Sequence, residues 1–150
     1  MKFAEFHVGQ VIEAGPYLVT EEELLRFAEA YDPQWFHVDP QAAAKGRFGG
    51  LIASGWHTCA IAMRLGVDAA LTGSESFASP GVERVRWLGP VRAGDRLSLK
   101  IEVTGKRRSE KQPGLGVLAW RWRVFNQSDE EVLDMTATSL FDLDPVEGEL

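Results

Sequence analysis

The second half of the chain contains four strand-like segments joined by short turns, and this pattern constrains the fold most strongly. The segments are rich in β-branched, aromatic or alternating residues and lie at 81–87, 96–103, 115–125 and 132–141. In the second segment, apolar residues at 97, 99, 101 and 103 alternate with polar ones, which predicts a strand with one face in water. The short connections favour antiparallel neighbours. A fifth strand is predicted near residues 10–12.

The first half of the chain has helical signals. Thr20 and Glu23 have the spacing of a capping box, which predicts a helix that ends near Tyr31, just before Asp32-Pro33. A short second helix is predicted from Asp39-Pro40 to about residue 46, because Asp is a favourable N-cap and Pro fits the first helical position.

A third, longer helix is predicted after Gly49-Gly50 and runs through residues 54–65. Its nearly continuous apolar character indicates that it is covered on most sides. One buried helix followed by an antiparallel meander predicts an α+β fold. We expect an antiparallel β-sheet wrapped around a long central helix.

Composition is consistent with one globular domain over residues 1–150. The chain is 45% hydrophobic and 25% charged, which supplies enough apolar residues for a core. The acidic tail after Leu143, at residues 144–150, is expected to be loosely held.

Charge and cysteine content limit the partners and the compartment. A formal net charge of -6 argues against binding nucleic acid or an anionic membrane, because both need clustered Lys and Arg. We find no signal peptide and no apolar run long enough to span a membrane. The single cysteine, Cys59, excludes an internal disulfide and suits a reducing compartment. A cytoplasmic protein is therefore expected.

Asp32 and His37 are the first candidate site residues. They lie five positions apart at a proline that ends a helix. A carboxylate and an imidazole on one loop can hold a water molecule and move its protons near neutral pH, as hydration chemistry requires. The alternative is a helix-terminating turn with a solvated histidine, and the hexapeptide alone favours that alternative.

A metal site is not expected. The three histidines have no i, i+4 pairing, and Asp32 with His37 supplies only two ligands without an obvious third.

Three segments resemble the MaoC-like dehydratases, a family of hot-dog-fold proteins that includes the (R)-specific enoyl-CoA hydratases. They are YDPQWFHVDP at 31–40, GGLIASG at 49–55 and VRWLGPVRAGDRL at 85–97. The segments stand in the family's order, and the resemblance covers about residues 8–143. It implies a sheet wrapped round a central helix, in a homodimer or dimer of dimers whose units pair edge to edge.

The same resemblance implies a reaction. Asp32 and His37 match the residues that hold the water added to a trans-2-enoyl thioester, and Gly55 matches the residue whose backbone N–H binds the thioester carbonyl. The implied protein is a lyase of fatty acid metabolism that interconverts a 2-enoyl-CoA and an (R)-3-hydroxyacyl-CoA. CoA or an acyl carrier protein delivers the substrate, and no other cofactor is needed. A hot-dog acyl-thioesterase and a non-catalytic acyl-CoA-binding protein stay open as alternatives.

Elementary chemistry supports the role of Gly55. Adding water next to a thioester carbonyl builds negative charge on the carbonyl oxygen, and an N–H donor at a helix N-terminus stabilises that charge. Glycine also lets the backbone approach without a Cβ in the way. The alternative for Gly55 is close packing of the helix start against the sheet.

Four further residues are candidate substrate contacts. Trp35 and Phe36 lie inside the catalytic loop and are candidate walls of an acyl pocket. Ser54 either caps the third helix or contacts substrate, and capping is favoured. His57 either lines the pocket or is a hydrogen-bonded packing residue of an apolar helix, and packing is favoured.

The loop departs from the commoner family pattern. Hydratases of this group usually carry an Asn-Pro pair inside the loop, whereas here Pro33 directly follows Asp32 and Gln34 stands where Asn would be. The commoner His-Gly at the helix opening is Ser54-Gly55 here. The geometry and the side-chain bonding of the loop are therefore expected to differ.

Overall fold

The computed structural model describes residues 1–143, which contain a five-stranded antiparallel sheet. Its strands are β1 (Val11–Leu18), β2 (Ser76–Trp87), β3 (Arg96–Arg108), β4 (Leu115–Phe125) and β5 (Glu131–Asp142). Their order across the sheet is β1-β3-β4-β5-β2, so β1 and β2 form its two edges. The predicted acidic tail, residues 144–150, lies outside the described residues.

The helices lie between β1 and β2 in the chain. They are α1 (Glu21–Tyr31), the single turn α2 (Trp35–Val38), α3 (Pro40–Ala44) and α4 (Gly55–Gly66). A 3-10 turn, Phe3–Glu5, precedes β1, and a π-helical turn, Val67–Leu71, continues α4. The longest of these, α4, has 12 residues, and within residues 1–143 no helix is long and apolar enough to cross a membrane.

The core lies between α4 and one face of the sheet. The strand β3 points four fully buried side chains at it, those of Leu97, Leu99, Ile101 and Val103. Each such burial stabilises the fold by roughly 1.5–3 kcal/mol. Helix α4 rests directly on β4, because a Cβ on Gly66 would lie 2.1 Å from the ring of Trp122. Close packing therefore requires glycine at this position.

The α+β fold predicted from the sequence is confirmed, and three strands are longer than predicted. The strand β1 continues to Leu18, β2 begins at Ser76, and β3 continues to Arg108. The extra lengths contain Gly15-Pro16, Pro80 and Gly105, which are residues that usually interrupt strands. The sheet absorbs each of them as a register shift in the strand pairing.

The turn α2 was not predicted, because four residues are too few for a periodic signal. Helix α4 is covered on most sides, as expected from its apolar character. The sheet packs against one side, and on another the Phe27 ring of α1 stacks on the buried His57. One stripe of α4 is open to solvent, where Trp56 is 59% exposed and Met63 is 47% exposed.

Candidate active site

The loop that follows α1 places the candidate catalytic pair. Helix α1 ends at Tyr31 with Asp32 as its C-cap, because the residue before a proline disfavours the helical conformation. The N–H of Asp32 closes the last turn on the carbonyl oxygen of Ala28 at 2.8 Å. Two residues on, the carbonyl oxygen of Gln34 accepts from the N–H of His37 at 2.9 Å and starts α2. These two turns bring the side chains of Asp32 and His37 together.

The Asp32 and His37 side chains meet at the wall of a cavity. Nε2 of His37 lies 3.3 Å from Oδ2 of Asp32, and the imidazole is almost completely buried. Nδ1 of His37 lies 2.7 Å from the carbonyl oxygen of Ile52. A carbonyl oxygen only accepts hydrogen bonds, so Nδ1 carries the hydrogen.

That bond to Ile52 determines what Nε2 of His37 can do. In the neutral ring, Nε2 is an acceptor, and it faces a carboxylate oxygen that is also an acceptor. A water molecule that donates to both atoms satisfies them, and so does a second proton on the imidazole. The geometry therefore allows the pair to hold a water molecule and to exchange protons with it.

Two side chains donate hydrogen bonds to the Asp32 carboxylate. Nε2 of Gln34 donates to Oδ1 at 2.7 Å, and Oγ of Ser54 donates to Oδ2 at 2.8 Å. The Gln34 bond is the largest influence holding the pKa of Asp32 below its usual value; burial opposes it, and Ser54 and the charge of His37 add to it. The carboxylate is therefore ionised at neutral pH.

Ser54 has a different role from the one favoured on sequence grounds. It is the N-cap residue of α4, but its side chain makes no capping hydrogen bond. The expectation of side-chain capping is wrong, because the fully buried hydroxyl is used by Asp32 instead. Ser54 thus connects the start of α4 to the end of α1.

Gly55 has both properties that the sequence suggested as alternatives. It is the first residue of α4, so its N–H has no acceptor within the helix, and it lines the same cavity as Asp32 and His37. It is also closely packed, because a Cβ at this position would lie 2.4 Å from the indole of Trp87. The packing excludes a side chain. The N–H lies at the positive end of the helix dipole, which favours an anionic oxygen, and within residues 1–143 it has no hydrogen-bond acceptor.

The cavity has a volume of about 520 Å³ and two kinds of wall. Asp32, Gln34 and His37 form the polar wall. The apolar wall includes Phe48, Ile52, Trp56, Trp87, Leu88 and Val91. Four of these side chains, Phe48, Trp56, Trp87 and Leu88, are also among the large exposed apolar residues of the chain. The mouth of the cavity is therefore an apolar surface patch.

Trp35 and Phe36 line a neighbouring pocket and not the cavity of the catalytic pair. This pocket of about 270 Å³ is almost wholly apolar, and Phe48 belongs to both spaces. The Trp35 ring packs against Gly46, where a Cβ would lie 2.9 Å from it. The two aromatic residues are thus placed beside the site, across Phe48.

His57 does not line the cavity of Asp32 and His37, so it is not placed as the substrate contact that was one of its two predicted roles. Two residues along a helix differ by about 200° in direction, so His57 points away from Gly55. Its ring is 2% exposed and stacks on Phe27 at 4.7 Å. Nε2 lies 3.5 Å from Oε1 of Glu23, which also accepts from the hydroxyl of Tyr17. Burial lowers the pKa of His57, and the packing interpretation is the one these contacts support.

Sequence reasoning missed three contributors to the site, namely the Gln34 amide, the Ile52 carbonyl and the Trp87 indole. Gln34 carried a signal, because it departs from the family pattern at a position next to the catalytic pair. The other two carried no local signal, because they are 15 and 32 residues from their partners in the chain.

The described residues offer little for binding a metal. Between Met1 and Leu143, no group of three or more His, Cys, Asp and Glu side chains is arranged to hold a metal ion. The donors of the cavity are one carboxylate, one imidazole and one amide, and the carboxylate is already hydrogen-bonded at both oxygens.

An antiparallel sheet around a central helix defines a hot-dog protein, and in this one an Asp–His pair lies beside the N-terminus of that helix. The MaoC like domain family matches residues 3–117, so the chain belongs to this family and the resemblance seen in the sequence is confirmed.

Known structures and sequences agree with this assignment. A MaoC-like dehydratase from Rhodospirillum rubrum has a TM-score of 0.87 and 33% identity, covering 95% of this chain and 97% of that one. The R-hydratase PhaJ1 from Pseudomonas aeruginosa has a TM-score of 0.78 and 28% identity, covering 95% and 86%. The 3-hydroxyacyl-thioester dehydratase Z of Mycobacterium tuberculosis is 38% identical over 89 residues, which are 58% of this chain and 59% of that protein.

Proposed function

We propose that the protein is a hydro-lyase that reversibly adds water to a 2-enoyl thioester and forms an (R)-3-hydroxyacyl thioester. The observation that carries the proposal is the 3.3 Å contact between Asp32 and His37 in a cavity that also exposes the start of α4 at Gly55. Membership of the MaoC-like family and the similarity to a dehydratase and an (R)-hydratase support it. The proposal places the reaction in the fatty acid metabolism of the cytoplasm.

In this mechanism the Asp32–His37 pair binds one water molecule. The water oxygen forms a bond to the β-carbon, one water proton passes to the pair, and a proton is delivered to the α-carbon. The two residues share the acid and base roles on this single water molecule. Negative charge develops on the thioester oxygen, and the Gly55 N–H stabilises it at the helix N-terminus. This chemistry uses no cofactor beyond CoA or an acyl carrier protein as the thioester carrier.

We place the acyl chain in the apolar pocket of Trp35 and Phe36. This pocket adjoins the catalytic cavity at Phe48, so an acyl chain that starts at the water site can continue past that ring. The pocket has a volume of about 270 Å³, and Arg47 is the one charged residue among the described residues that line it. Such a space suits a short hydrocarbon chain.

We also propose that the active unit is a homodimer, or a dimer of dimers, formed through β2. This edge strand has 12 residues and is exposed along nearly its whole length, including Phe77, Val82 and Trp87. Apolar edge strands of this length invite pairing with another strand. A second copy, related by a twofold axis and paired through its own β2, extends the sheet. It also covers the exposed apolar residues Trp56 and Trp87 at the cavity mouth.

The experiment that tests the reaction follows the loss of enoyl-thioester absorbance with crotonyl-CoA and longer 2-enoyl-CoAs. Asp32→Asn and His37→Ala are each expected to lower turnover by about 100-fold or more. Asp68→Asn and His7→Ala are matched controls, because both residues are exposed and neither lines the cavity. Both variants are expected to retain full activity.

The same assay separates the other two functions. Release of free thiol from a saturated acyl-CoA identifies a thioesterase, and binding of acyl-CoA without turnover of any enoyl substrate identifies a binding protein. A folded protein that gives either result does not have the proposed activity.

A further inference from the structure

Gln34 makes the shortest hydrogen bond to the Asp32 carboxylate. Its side-chain Nε2 lies 2.7 Å from Oδ1 of Asp32, and Gln34 lines the cavity together with Asp32 and His37. The amide therefore touches the oxygen that His37 does not face, because the 3.3 Å contact of His37 is to Oδ2. Hydrogen bonds to an ionised group are roughly twice as strong as neutral ones.

The backbone of Gln34 is held at both of its polar groups. Its N–H donates to the carbonyl oxygen of Asp32 at 2.8 Å, and its own carbonyl oxygen accepts from the N–H of His37 at 2.9 Å. Pro33 lies between the two residues, and its ring restricts the backbone at that point. The backbone of Gln34 is thus fixed between Asp32 and His37, and its side chain bonds the Asp32 carboxylate.

The Asp32 carboxylate has a rotatable plane, and the reaction needs one oxygen directed at Nε2 of His37 and the bound water. Ser54 and His37 both contact Oδ2, whereas Gln34 alone contacts Oδ1 among the described side chains. Without a donor on Oδ1, the carboxylate is free to rotate about its terminal bond, because such torsions are broad. An error of this kind in a catalytic group lowers the rate without weakening substrate binding.

We propose that Gln34 is a positioning residue: its amide holds the Asp32 carboxylate as an anion in the plane that directs Oδ2 to His37 and to the reacting water. The inference rests on the proposed hydration reaction and goes beyond it, because it gives a role to the position at which this loop departs from the commoner pattern. Gln34 acts through Asp32 and does not itself exchange protons with substrate.

The test compares Gln34→Ala, Gln34→Asn and Gln34→Glu over a range of pH, with kcat and KM measured separately. Gln34→Ala is expected to lower kcat by about 10- to 100-fold at neutral pH with a KM within about threefold of wild type. Gln34→Asn keeps an amide on a shorter side chain, and we expect it to recover part of that loss.

The pH dependence of kcat separates a positioning role from a purely structural one, because a purely structural role of Gln34 would leave it unchanged. Glutamate at position 34 puts a second carboxylate beside Asp32, and like charges raise the pKa of one of the two groups. The acid limb of the kcat profile is therefore expected to move to higher pH in Gln34→Glu. Gln41→Ala and Gln41→Glu are the matched controls, because Gln41 is an exposed glutamine of α3 outside the cavity.

Three outcomes decide the proposal. A lowered kcat with an unchanged Tm, to within about 3 °C, supports the positioning role. If the wild-type protein turns over substrate and the Gln34 variants have the same kcat and pH profiles as the Gln41 controls, the positioning role is overturned. The hydration reaction stands in that case. Absence of turnover in the folded wild-type protein overturns the proposed function, and the role of Gln34 fails with it.

Discussion

The indole nitrogen of Trp87 donates a hydrogen bond of 2.8 Å to the carbonyl oxygen of Gly55, and the same ring occupies the space that a side chain on Gly55 would need. The last residue of β2 is thereby fixed against the first residue of α4. The contact orients the helix N-terminus whose first residue, Gly55, lines the cavity of Asp32 and His37. It also joins the site to the edge strand through which we propose that two copies pair.

The Gly55→Ala substitution tests this contact. The new Cβ meets the indole ring at a distance that real side chains do not tolerate, so Trp87 or the start of α4 has to move. We expect a loss of about 1–3 kcal/mol in the free energy of unfolding, measured by urea denaturation, together with reduced turnover. Gly50→Ala is the control for the stability measurement alone, because a Cβ there meets only Arg92 at 3.6 Å, while Gly50 lines the proposed acyl pocket. Equal stability of the two variants would contradict the packing argument.

The cluster of Tyr17, Glu23 and His57 gives a prediction at alkaline pH. The hydrogen bond to Glu23, then burial and the charge of Glu23, raise the pKa of Tyr17 to about 12. The folded pKa of Tyr17 is above its ordinary value of 10.0. The contribution of the Tyr17–Glu23 interaction to the free energy of unfolding is therefore complete below pH 10.0 and is lost as the pH rises toward about 12. Glu23→Gln is expected to lower the pKa of Tyr17 and to weaken this pH dependence.

Absorbance titration of tyrosinate measures the effect. The chain has only two tyrosines, so a Tyr31→Phe background leaves Tyr17 as the single reporter. Glu22→Gln is the control, because Glu22 is exposed and pairs with Arg26 on the outer side of α1. A pKa of Tyr17 that is the same in both glutamate variants would show that the hydrogen bond does not cause the shift.

Two ion pairs on the sheet give a prediction at acid pH. Arg121 holds Asp134 with bonds of 2.9 and 2.8 Å, and Arg123 holds Glu131 with bonds of 2.8 and 2.9 Å. These hydrogen bonds are the main reason that the pKa values of Asp134 and Glu131 lie below 3.8 and 4.5. The stability they contribute is present above those ordinary values and is lost as the pH falls through the lowered folded values.

The measurement is the urea midpoint at a series of acid pH values for wild type and Asp134→Asn. The variant is expected to lose part of the acid dependence and about 1 kcal/mol at neutral pH, because Arg121 remains partly in water and the pair is screened. Glu29→Gln, on the exposed side of α1, is expected to follow the wild-type curve. Identical curves for all three proteins would mean that the Arg121 pair adds nothing to stability.

The two sheet edges give a prediction about assembly. Val82 on β2 and Val11 on β1 have similar exposures, 50% and 54%, and each lies on an edge strand. Lysine on an edge strand opposes pairing with another strand. We therefore expect Val82→Lys to dissociate the dimer and Val11→Lys to leave it intact, as measured by light scattering after size-exclusion chromatography. A wild-type monomer, or dissociation by Val11→Lys alone, would count against pairing through β2.

Much of the fold was predictable because its signals are local. The alternation in β3 predicts which of its side chains face the core, and Thr20 predicts the start of α1, where its Oγ accepts from the N–H of Glu23 at 3.2 Å. The second half of the predicted capping box is absent, because the Glu23 side chain bonds Tyr17 instead. A sequence pattern describes one element at a time, whereas the Glu23 side chain accepts its hydrogen bond from Tyr17 of another element, β1.

The sequence by itself determined the α1, α3 and α4 helices, the strands of the second half and the face of β3 that is buried, because helix stops, caps and apolar periodicity act over a few residues. It also placed Asp32 and His37 on one loop. Only the tertiary structure decided what surrounds that pair. Ser54 reaches Asp32 across 22 residues of chain, and the Ile52 carbonyl reaches His37 across 15. Hydrogen bonds form or fail over tenths of an ångström, and distances of that precision arise only when α1, α4 and the sheet have packed together.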